Sequence, residues 1–187
     1  MFLSRIDDHA ELRLLEERHA AELCALTRQN WDYFRVWMPG FTDEYTLAAS
    51  REFIHQCLER FIAGREIPAG IWDAGALVGI IALRSIDLNN RNATIGYYLA
   101  ASHQGRGLVT RACRILLDYA FGELQLNRVD ILCAPGNTRS RAIPERLGFT
   151  QEGTLREVQW LYDHYVDLVV YAMLKRDWHS KTEGTSR

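Results

Sequence analysis

The sequence predicts an α+β domain of three layers, in which helices flank a central mixed, mainly antiparallel sheet of about seven strands. Three observations carry this prediction. Turn residues separate short segments of strand character, apolar residues recur at helical spacing in other segments, and helical and strand segments follow one another along the chain.

Four segments are predicted to be helical. Residues 19–38 are rich in Ala, Leu, Glu and aromatic side chains and end before a Pro-Gly pair. Residues 46–63 repeat apolar side chains at helical spacing, and Gly64 is a suitable stop. The other two predicted helices are 108–121 and about 140–147.

The predicted strands alternate with turn signals. Asp73-Ala74-Gly75 indicates a hairpin, residues 89–92 indicate a second turn, and Asp163-His164 indicates a third. The strands are, in order, residues 11–15, 71–72, 76–86, 93–100, 128–134, 149–161 and 165–175.

Length and composition bound the class of protein. The 187 residues are 48% hydrophobic, which is enough for one domain, expected over residues 1–178, with a polar C-terminal tail at 179–187. The net charge is −2 and basic residues are interspersed with acidic ones, so no nucleic-acid partner is expected. The acidic N-terminal segment is unlike a signal peptide, and no apolar run has the length of a membrane span. A cytoplasmic protein without membrane contact is therefore expected.

The cysteines and histidines show no pattern of a metal site. Cys24, Cys57, Cys113 and Cys133 form neither a CxxC pair nor a zinc-ligand spacing, and the six histidines are scattered. We therefore expect buried thiols in a cytosolic protein and no metal.

The most informative segment is residues 103–110, in which Gly105 and Gly107 precede the helix predicted at 108–121. Glycines at a helix start let the backbone approach a ligand, and the free N–H groups and the helix dipole there favour an anion. Arg106 and Arg111 add positive charge. The segment is interpreted either as a pyrophosphate site or as an ordinary turn from strand to helix that contains glycine.

A second segment favours the pyrophosphate site. It contains Asn137-x-x-Ser140 and Leu147-Gly148-Phe149, and together with Gln104-Gly105-Arg106-Gly107 it resembles the GNAT superfamily of acyl-CoA-dependent N-acyltransferases. Within that superfamily the chain is most similar to the RimJ/RimL-type ribosomal-protein N-terminal acetyltransferases, which have segments like Ile95-Gly96-Tyr97, Glu152-Gly153 and Tyr162-x-x-x-x-Asp167. The resemblance extends from about residue 12 to residue 173 and implies the GNAT fold, with acetyl-CoA as acyl donor.

The resemblance also implies which residues hold the cofactor. Gln104 and Gly107 match the family's pyrophosphate loop, whereas Val109 replaces its final small residue. The thioester carbonyl is expected to meet backbone N–H groups at the end of the strand Tyr97-Tyr98-Leu99, where two parallel strands diverge. The expected cofactor contacts are Tyr98, Leu99, Gln104, Gly105, Arg106, Gly107, Leu108, Val109, Thr110, Asn137, Arg139 and Ser140.

Ser140 and Asn137 are expected to act at the leaving group. Many relatives place a Tyr four residues before the Gly-Phe pair as the acid that protonates the thiolate, and this chain has Pro144 there. The RimJ/RimL branch also lacks that Tyr and has Ser at the position of Ser140, so the hydroxyl is the expected donor. Asn137 is expected to contact the pantetheine arm. A helix N-cap at Asn137 and a surface helix residue at Ser140 are the simpler interpretations.

The sequence offers no clear general base. Thr94 and Gln159 stand where relatives carry glutamates, and neither accepts a proton at neutral pH. Glu157, two residues before Gln159 and so expected on the same strand face, is the third catalytic candidate, although a solvated strand residue explains it as well. His164 beside Asp163 is another candidate at an exposed turn.

An aromatic run near the end of the first helical segment is expected to belong mostly to the core and partly to the acceptor groove. It comprises Trp31, Tyr33, Phe34, Trp37, Met38 and Phe41. The expected acceptor contacts are Trp31, Trp37, Tyr97 and Gln159. The expected partners are acetyl-CoA and either a protein N-terminus or a small amine, bound by a monomer or a homodimer.

The predicted function is acetyl-CoA-dependent N-acetylation of a primary amine, with a protein or peptide α-amino group as the first choice. Acetylation of a small-molecule amine or an antibiotic is one alternative. A non-catalytic acyl-CoA-binding protein is another, because the usual glutamates are missing. A nucleotide-dependent oxidoreductase is disfavoured, since Thr110 replaces the third glycine of a dinucleotide motif and Asp130 lies in mid-strand. A P-loop is excluded because no Gly-Lys-Ser/Thr occurs.

Overall fold

The computed structural model describes residues 3–39 and 45–178. The predicted tail at 179–187 and Phe41 lie outside the described residues. The strands are β1 (Leu3–Arg5), β2 (Ala10–Leu14), β3 (Ile67–Asp73), β4 (Ala76–Asp87), β5 (Asn92–Leu99), β6 (Arg128–Cys133), β7 (Thr150–Leu161) and β8 (His164–Leu174). The α-helices are α1 (Ala20–Gln29), α2 (Trp31–Phe34), α3 (Leu47–Ile62), α4 (Leu108–Gly122) and α5 (Thr138–Leu147).

One sheet of eight strands forms the central layer, in the order β1-β2-β3-β4-β5-β6-β8-β7. Neighbours are antiparallel except for β5 and β6, which are parallel and joined through α4. The predicted mixed, mainly antiparallel α+β architecture is confirmed. The strand beyond the expected seven is β1, whose three residues pair with β2 and are too few to show a periodic pattern.

The two parallel strands stay together over a short distance only. Their ladder pairs Asn92, Ala93 and Thr94 with Arg128, Val129 and Asp130, and it ends there although both strands continue. A gap therefore opens in the middle of the sheet, between residues 95–99 and residues 131–133.

Helices cover both faces of the sheet and define two hydrophobic cores. On one face α4 buries nine side chains, among them Leu116 and Phe121, against Ile81 and Ile95 of the sheet. On the other face α1, α2 and α3 bury Leu23, Phe34 and Ile54 against the sheet residues Trp72, Leu77 and Ile80. Helices of both layers border the gap between β5 and β6.

Local backbone chemistry explains most element ends. The side chain of Thr46 caps α3 by accepting a hydrogen bond from the Ala49 N–H at 3.1 Å, and Gly64 follows α3 with φ of +69°. The hairpin predicted between β3 and β4 is present. Ala74 and Gly75 have φ of 49° and 82°, as in a type I′ turn.

Two sequence predictions about the elements are wrong in detail. The helix expected over 19–38 is broken at Asn30, whose amide donates to the Leu26 carbonyl at 2.9 Å and accepts from the Ala101 N–H at 2.9 Å. The last turn lies at Tyr162 and Asp163, because His164 already begins β8.

Candidate active site

A cleft of about 1630 Å³ occupies the place where β5 and β6 diverge. Its walls come from the end of α2, from α3, β4 and β5, from the loop at 104–107 and the start of α4, and from α5. The cleft is thus bordered by both predicted motifs, the glycine loop at 104–110 and the segment that starts at Asn137.

The glycine loop presents a helix N-terminus to this cleft. Gly105 and Gly107 have φ of 75° and 72°, a backbone conformation that favours glycine. The first helical hydrogen bond runs from the Arg111 N–H to the Gly107 carbonyl, so the N–H groups of residues 108–110 have no partner within the helix. Leu108, Val109 and Thr110 bury their side chains, and the Thr110 hydroxyl accepts a hydrogen bond from Arg146 at 3.2 Å, so a ligand would meet chiefly their backbone N–H groups.

The arginines of the loop are partly used within the protein. Arg106 forms an ion pair with Asp73, which is only 6% exposed, and its second nitrogen lies 3.3 Å from the other carboxylate oxygen. Arg111 donates to the Arg106 carbonyl at 3.1 Å and to Asp7 at 2.7 Å. Both side chains therefore brace the loop, and nearby carboxylates offset part of their charge.

The start of α5 lies across the gap from β5. Asn137 caps this helix by accepting a hydrogen bond from the Ser140 N–H at 3.1 Å, which confirms the N-cap interpretation. Arg139 donates to Gln104 at 2.7 Å and so ties α5 to the glycine loop. The two predicted motifs are therefore in direct contact.

Ser140 is held between two other side chains in the cleft wall. Its Oγ lies 3.1 Å from the Cys133 Sγ and 3.3 Å from the Tyr97 hydroxyl, and that hydroxyl donates to the Ser140 carbonyl at 3.0 Å. Burial raises the pKa of Tyr97 well above its usual value and also raises the pKa of Cys133. Both groups are therefore neutral near pH 7.

The aromatic run is divided between the core and the cleft. Phe34 is 2% exposed, and Trp37 lines the cleft, with its ring 3.4 Å from where a Cβ on Gly136 would lie. Trp31 packs against the core formed by α1–α3 and not in the cleft wall, and its expected acceptor contact stays a prediction.

The regular strand alternation on which the grouping of Glu157 with Gln159 is based does not hold in β7. The ladder shifts between Leu155 and Gln159, Glu157 has φ of 50°, and its N–H donates to Asp167 at 2.8 Å. The two-residue alternation is therefore interrupted. Gln159 borders the cleft, whereas Glu157 is exposed and does not.

The other candidates for a base lie outside the cleft wall. His164 is exposed and lies 2.7 Å from Asp163, and Thr94 sits at the last rung of the ladder between β5 and β6. Neither residue borders the cleft.

Sequence reasoning missed a polar stripe on α3. Glu52, Gln56 and Arg60 recur every four residues and border the cleft, a spacing that could have revealed a shared helix face. Glu52 accepts a hydrogen bond from Gln56 at 2.7 Å, and Arg60 forms an ion pair with Glu66, which is 4% exposed. Across the cleft, the Arg84 side chain lies over Gly96, 3.4 Å from where a Cβ would be.

No helix in residues 3–39 and 45–178 is long and apolar enough to cross a membrane. The same residues contain no group of three or more His, Cys, Asp or Glu side chains arranged to hold a metal ion.

Known proteins resemble this chain over nearly its full length. Residues 9–150 match the family model for the acetyltransferase (GNAT) domain. The chain is 41% identical to the Bacillus subtilis (strain 168) protein named "Putative ribosomal N-acetyltransferase YdaF", over 97% of this chain and 100% of the relative.

Solved structures agree with this match. The crystal structure of a probable acetyltransferase is 40% identical, with a TM-score of 0.89 over 95% of this chain and 99% of that one. The microcin C7 self-immunity acetyltransferase MccE, in complex with acetyl-CoA and AMP, is 29% identical, with a TM-score of 0.85 over 90% of this chain and 94% of that one. The resemblance predicted from the glycine loop and the Asn137 segment is confirmed. The chain belongs to the GNAT family and is an N-acetyltransferase that uses acetyl-CoA as its acyl donor.

Proposed function

We propose that this enzyme acetylates the α-amino group at the N-terminus of a protein or peptide, of the ribosomal-protein type, in the cytoplasm. The name of the Bacillus subtilis relative YdaF, which refers to ribosomal N-acetylation, supports this acceptor class. All four cysteines are buried and unpaired, which suits a reducing compartment.

The proposal rests on the small number of carboxylate side chains that border the cleft. Among the described residues that border it, only Glu52 and Glu66 are acidic. Glu66 is paired with Arg60, and Glu52 already accepts a hydrogen bond from Gln56. The site is therefore poorly equipped to remove a proton from a strongly basic amine.

An α-amino group needs less help of this kind than a lysine side chain. With a pKa of about 8, roughly a tenth of an α-amine is neutral at pH 7. A lysine amine with a pKa of about 10.4 is neutral only about 0.04% of the time, a disadvantage of about 3 kcal/mol. Water in the cleft is a sufficient proton acceptor for the first amine and a poor one for the second.

In the proposed mechanism the backbone N–H groups of residues 108–110 bind the diphosphate, and the pantetheine arm enters the gap between β5 and β6. Among residues 3–39 and 45–178, strand β5 has no ladder partner on the gap side beyond Thr94, so its N–H groups there are available to the thioester carbonyl. One such donor lowers the barrier by about 3 kcal/mol.

The chemical step makes one bond and breaks another. The amine nitrogen attacks the carbonyl carbon, its proton passes to water, and the C–S bond breaks as the carbonyl re-forms. Ser140 donates a hydrogen bond to the departing thiolate, which then takes up a proton from solvent. Asn137 keeps the first turn of α5, and with it Ser140, in place.

A small-molecule amine is the second candidate acceptor. MccE is a structural neighbour that has been crystallised with acetyl-CoA and AMP. In the present cleft Arg84 has no acidic partner among residues 3–39 and 45–178, and it offers a cation to an anionic group on a small substrate.

A panel of acceptors tests the proposal. The enzyme is offered acetyl-CoA with peptides that have a free N-terminus and no lysine, N-blocked peptides that contain lysine, polyamines, and an aminoacyl nucleotide analogue. Acetylation of the first class at the highest kcat/KM is the expected result. Turnover confined to lysine peptides, polyamines or the nucleotide analogue would refute the α-amine assignment.

A further inference from the structure

The hydroxyl of Tyr97 makes two contacts with Ser140 across the gap in the sheet. It donates to the Ser140 carbonyl at 3.0 Å, and it lies 3.3 Å from the Ser140 Oγ. A phenol has a single proton, and here the carbonyl takes it. The second hydrogen bond must therefore be donated by the Ser140 hydroxyl to the Tyr97 oxygen.

Cys133 completes the environment of the serine. Its Sγ lies 3.1 Å from the Ser140 Oγ, and the serine proton is already directed to Tyr97. The Cys133 thiol is therefore the donor in this contact, and Ser140 both accepts and donates one hydrogen bond. This set of directions satisfies all three groups and agrees with the Ser140 hydroxyl as donor to the Tyr97 oxygen.

This arrangement leaves the Ser140 proton in a weak hydrogen bond before the reaction. Its acceptor is a neutral phenol oxygen at a long distance. A thiolate forming in the cleft is a better acceptor, because hydrogen bonds to charged groups are roughly twice as strong as those between neutral groups. Rotation about one side-chain bond transfers the donor from phenol to thiolate, so the gain arises only as the C–S bond breaks.

We propose that Tyr97 is the positioning residue for Ser140: it fixes the first turn of α5 through the Ser140 carbonyl and holds the serine proton until the thiolate forms. This inference rests on acetyl transfer with Ser140 as the donor to the leaving group. It assigns Tyr97 to the leaving-group side of the cleft rather than to acceptor binding.

The test compares variants with acetyl-CoA and with two smaller acyl donors that differ in the acidity of the thiol released. S-acetylpantetheine releases an alkyl thiol, and S-acetyl-4-nitrothiophenol releases a far more acidic aryl thiol that needs little stabilisation. Tyr97→Phe should lower kcat with acetyl-CoA and S-acetylpantetheine by about tenfold, the effect of one hydrogen bond to a charged group, with KM nearly unchanged. With the aryl donor the loss should shrink to less than twofold after subtraction of the uncatalysed rate.

Tyr171→Phe is the matched control. The Tyr171 hydroxyl also binds α5, donating to Glu145 at 2.7 Å and accepting from Arg141 at 2.9 Å, but it does not border the cleft. If anchoring of α5 were all that mattered, this variant would lose activity in the same way. We expect Tyr171→Phe to unfold at a lower temperature and to keep the wild-type ratio of kcat with the alkyl donor to kcat with the aryl donor.

A double variant sharpens the result. Tyr97→Phe added to Ser140→Ala should cost no further activity, because the proposed role of Tyr97 acts through that hydroxyl. The proposal would be overturned if the losses of kcat in the two single variants added in the double variant. It would also be overturned if Tyr97→Phe lost the same fraction of kcat with the alkyl and the aryl donor, or kept the wild-type kcat.

Cys133 provides a second route if Tyr97→Phe does not fold. Cys133→Ala removes the donor to the Ser140 Oγ and should show the same dependence on the acyl donor, whereas Cys133→Ser keeps a donor and should lose less kcat than Cys133→Ala. Equal activity in the two variants would contradict the hydrogen-bond directions. The comparison uses whichever acceptor the wild-type enzyme prefers, so a wrong α-amine assignment leaves this test intact.

Discussion

Replacement of Gly107 by Glu and by Gln is the sharpest test of the cofactor loop. Both side chains must adopt φ near +72°, which costs roughly 1–2 kcal/mol, and both approach the Arg111 guanidinium, 3.0 Å from the added Cβ. That guanidinium is the end of a flexible side chain and can move. The two variants therefore share their strain and their bulk, and they differ in one negative charge.

The charge difference sets the expected effect on acetyl-CoA binding. A carboxylate about 5 Å from a phosphate, at an effective dielectric constant of about 20, raises the energy by about 3 kcal/mol. That is roughly a hundredfold in Kd between Gly107→Glu and Gly107→Gln at low salt. The ratio should fall as salt is added, because screening acts over about 3 Å at 1 M ionic strength.

Titration calorimetry with acetyl-CoA at low and high salt measures this difference, and thermal unfolding shows that both variants are folded. Gly105→Ala is a useful companion, since Gly105 has φ of +75° and nothing lies within 4 Å of its added Cβ. The change in Kd for acetyl-CoA in this variant therefore measures the effect of backbone strain without added charge. Equal Kd values for folded Glu and Gln variants at low salt would refute the placement of the diphosphate at this helix start.

Three further predictions concern charges elsewhere in the structure. Arg106→Met removes the arginine partner of the buried Asp73 carboxylate, leaving the His103 Nε2 at 3.7 Å, and should lower the free energy of unfolding by about 1–3 kcal/mol. Asp73→Asn in the same chain should recover part of this loss, and strictly additive losses in urea titrations would argue against the pair. Burial lowers the pKa of His19, so the unfolded chain takes up the proton first as the pH falls. The free energy of unfolding should therefore decrease below about pH 6.5. His19→Gln should make the free energy of unfolding less dependent on pH, and an unchanged slope would contradict the prediction. Glu157→Gln should leave kcat and its pH profile unchanged, because the Glu157 side chain does not border the cleft. A variant whose kcat falls, or whose pH dependence shifts, would show that Glu157 acts as the general base.

Local patterns in the sequence were sufficient for most of the fold. The apolar spacing of α3 and α4 and the Ala74-Gly75 turn act within a few residues of chain, so the sequence shows them directly. The break at Asn30 depends on its hydrogen bond to Ala101, and no local pattern contains that partner.

The candidate site was less predictable for the same reason. Both motifs were found, but the pairing of Arg106 with Asp73 joins residues distant in the chain, and the shift in β7 at Glu157 is a backbone irregularity without a residue signature. The partners of Ser140, on β5 and β6, became visible only once the strands were placed in space.

The short ladder between β5 and β6 has a consequence for the stability of the whole protein. In the described residues, the sheet joins strands β1–β5 to strands β6–β8 through three paired positions and two backbone hydrogen bonds to the Arg91 carbonyl, a shorter junction than the seven pairs between β4 and β5. On the proposed placement of acetyl-CoA, its pantetheine arm would contact both halves at the gap and link them. Binding to the folded state alone adds about 2.7 kcal/mol when the ligand is at a hundredfold its Kd. Acetyl-CoA should therefore raise the temperature at which the two halves of the sheet separate and the protein unfolds.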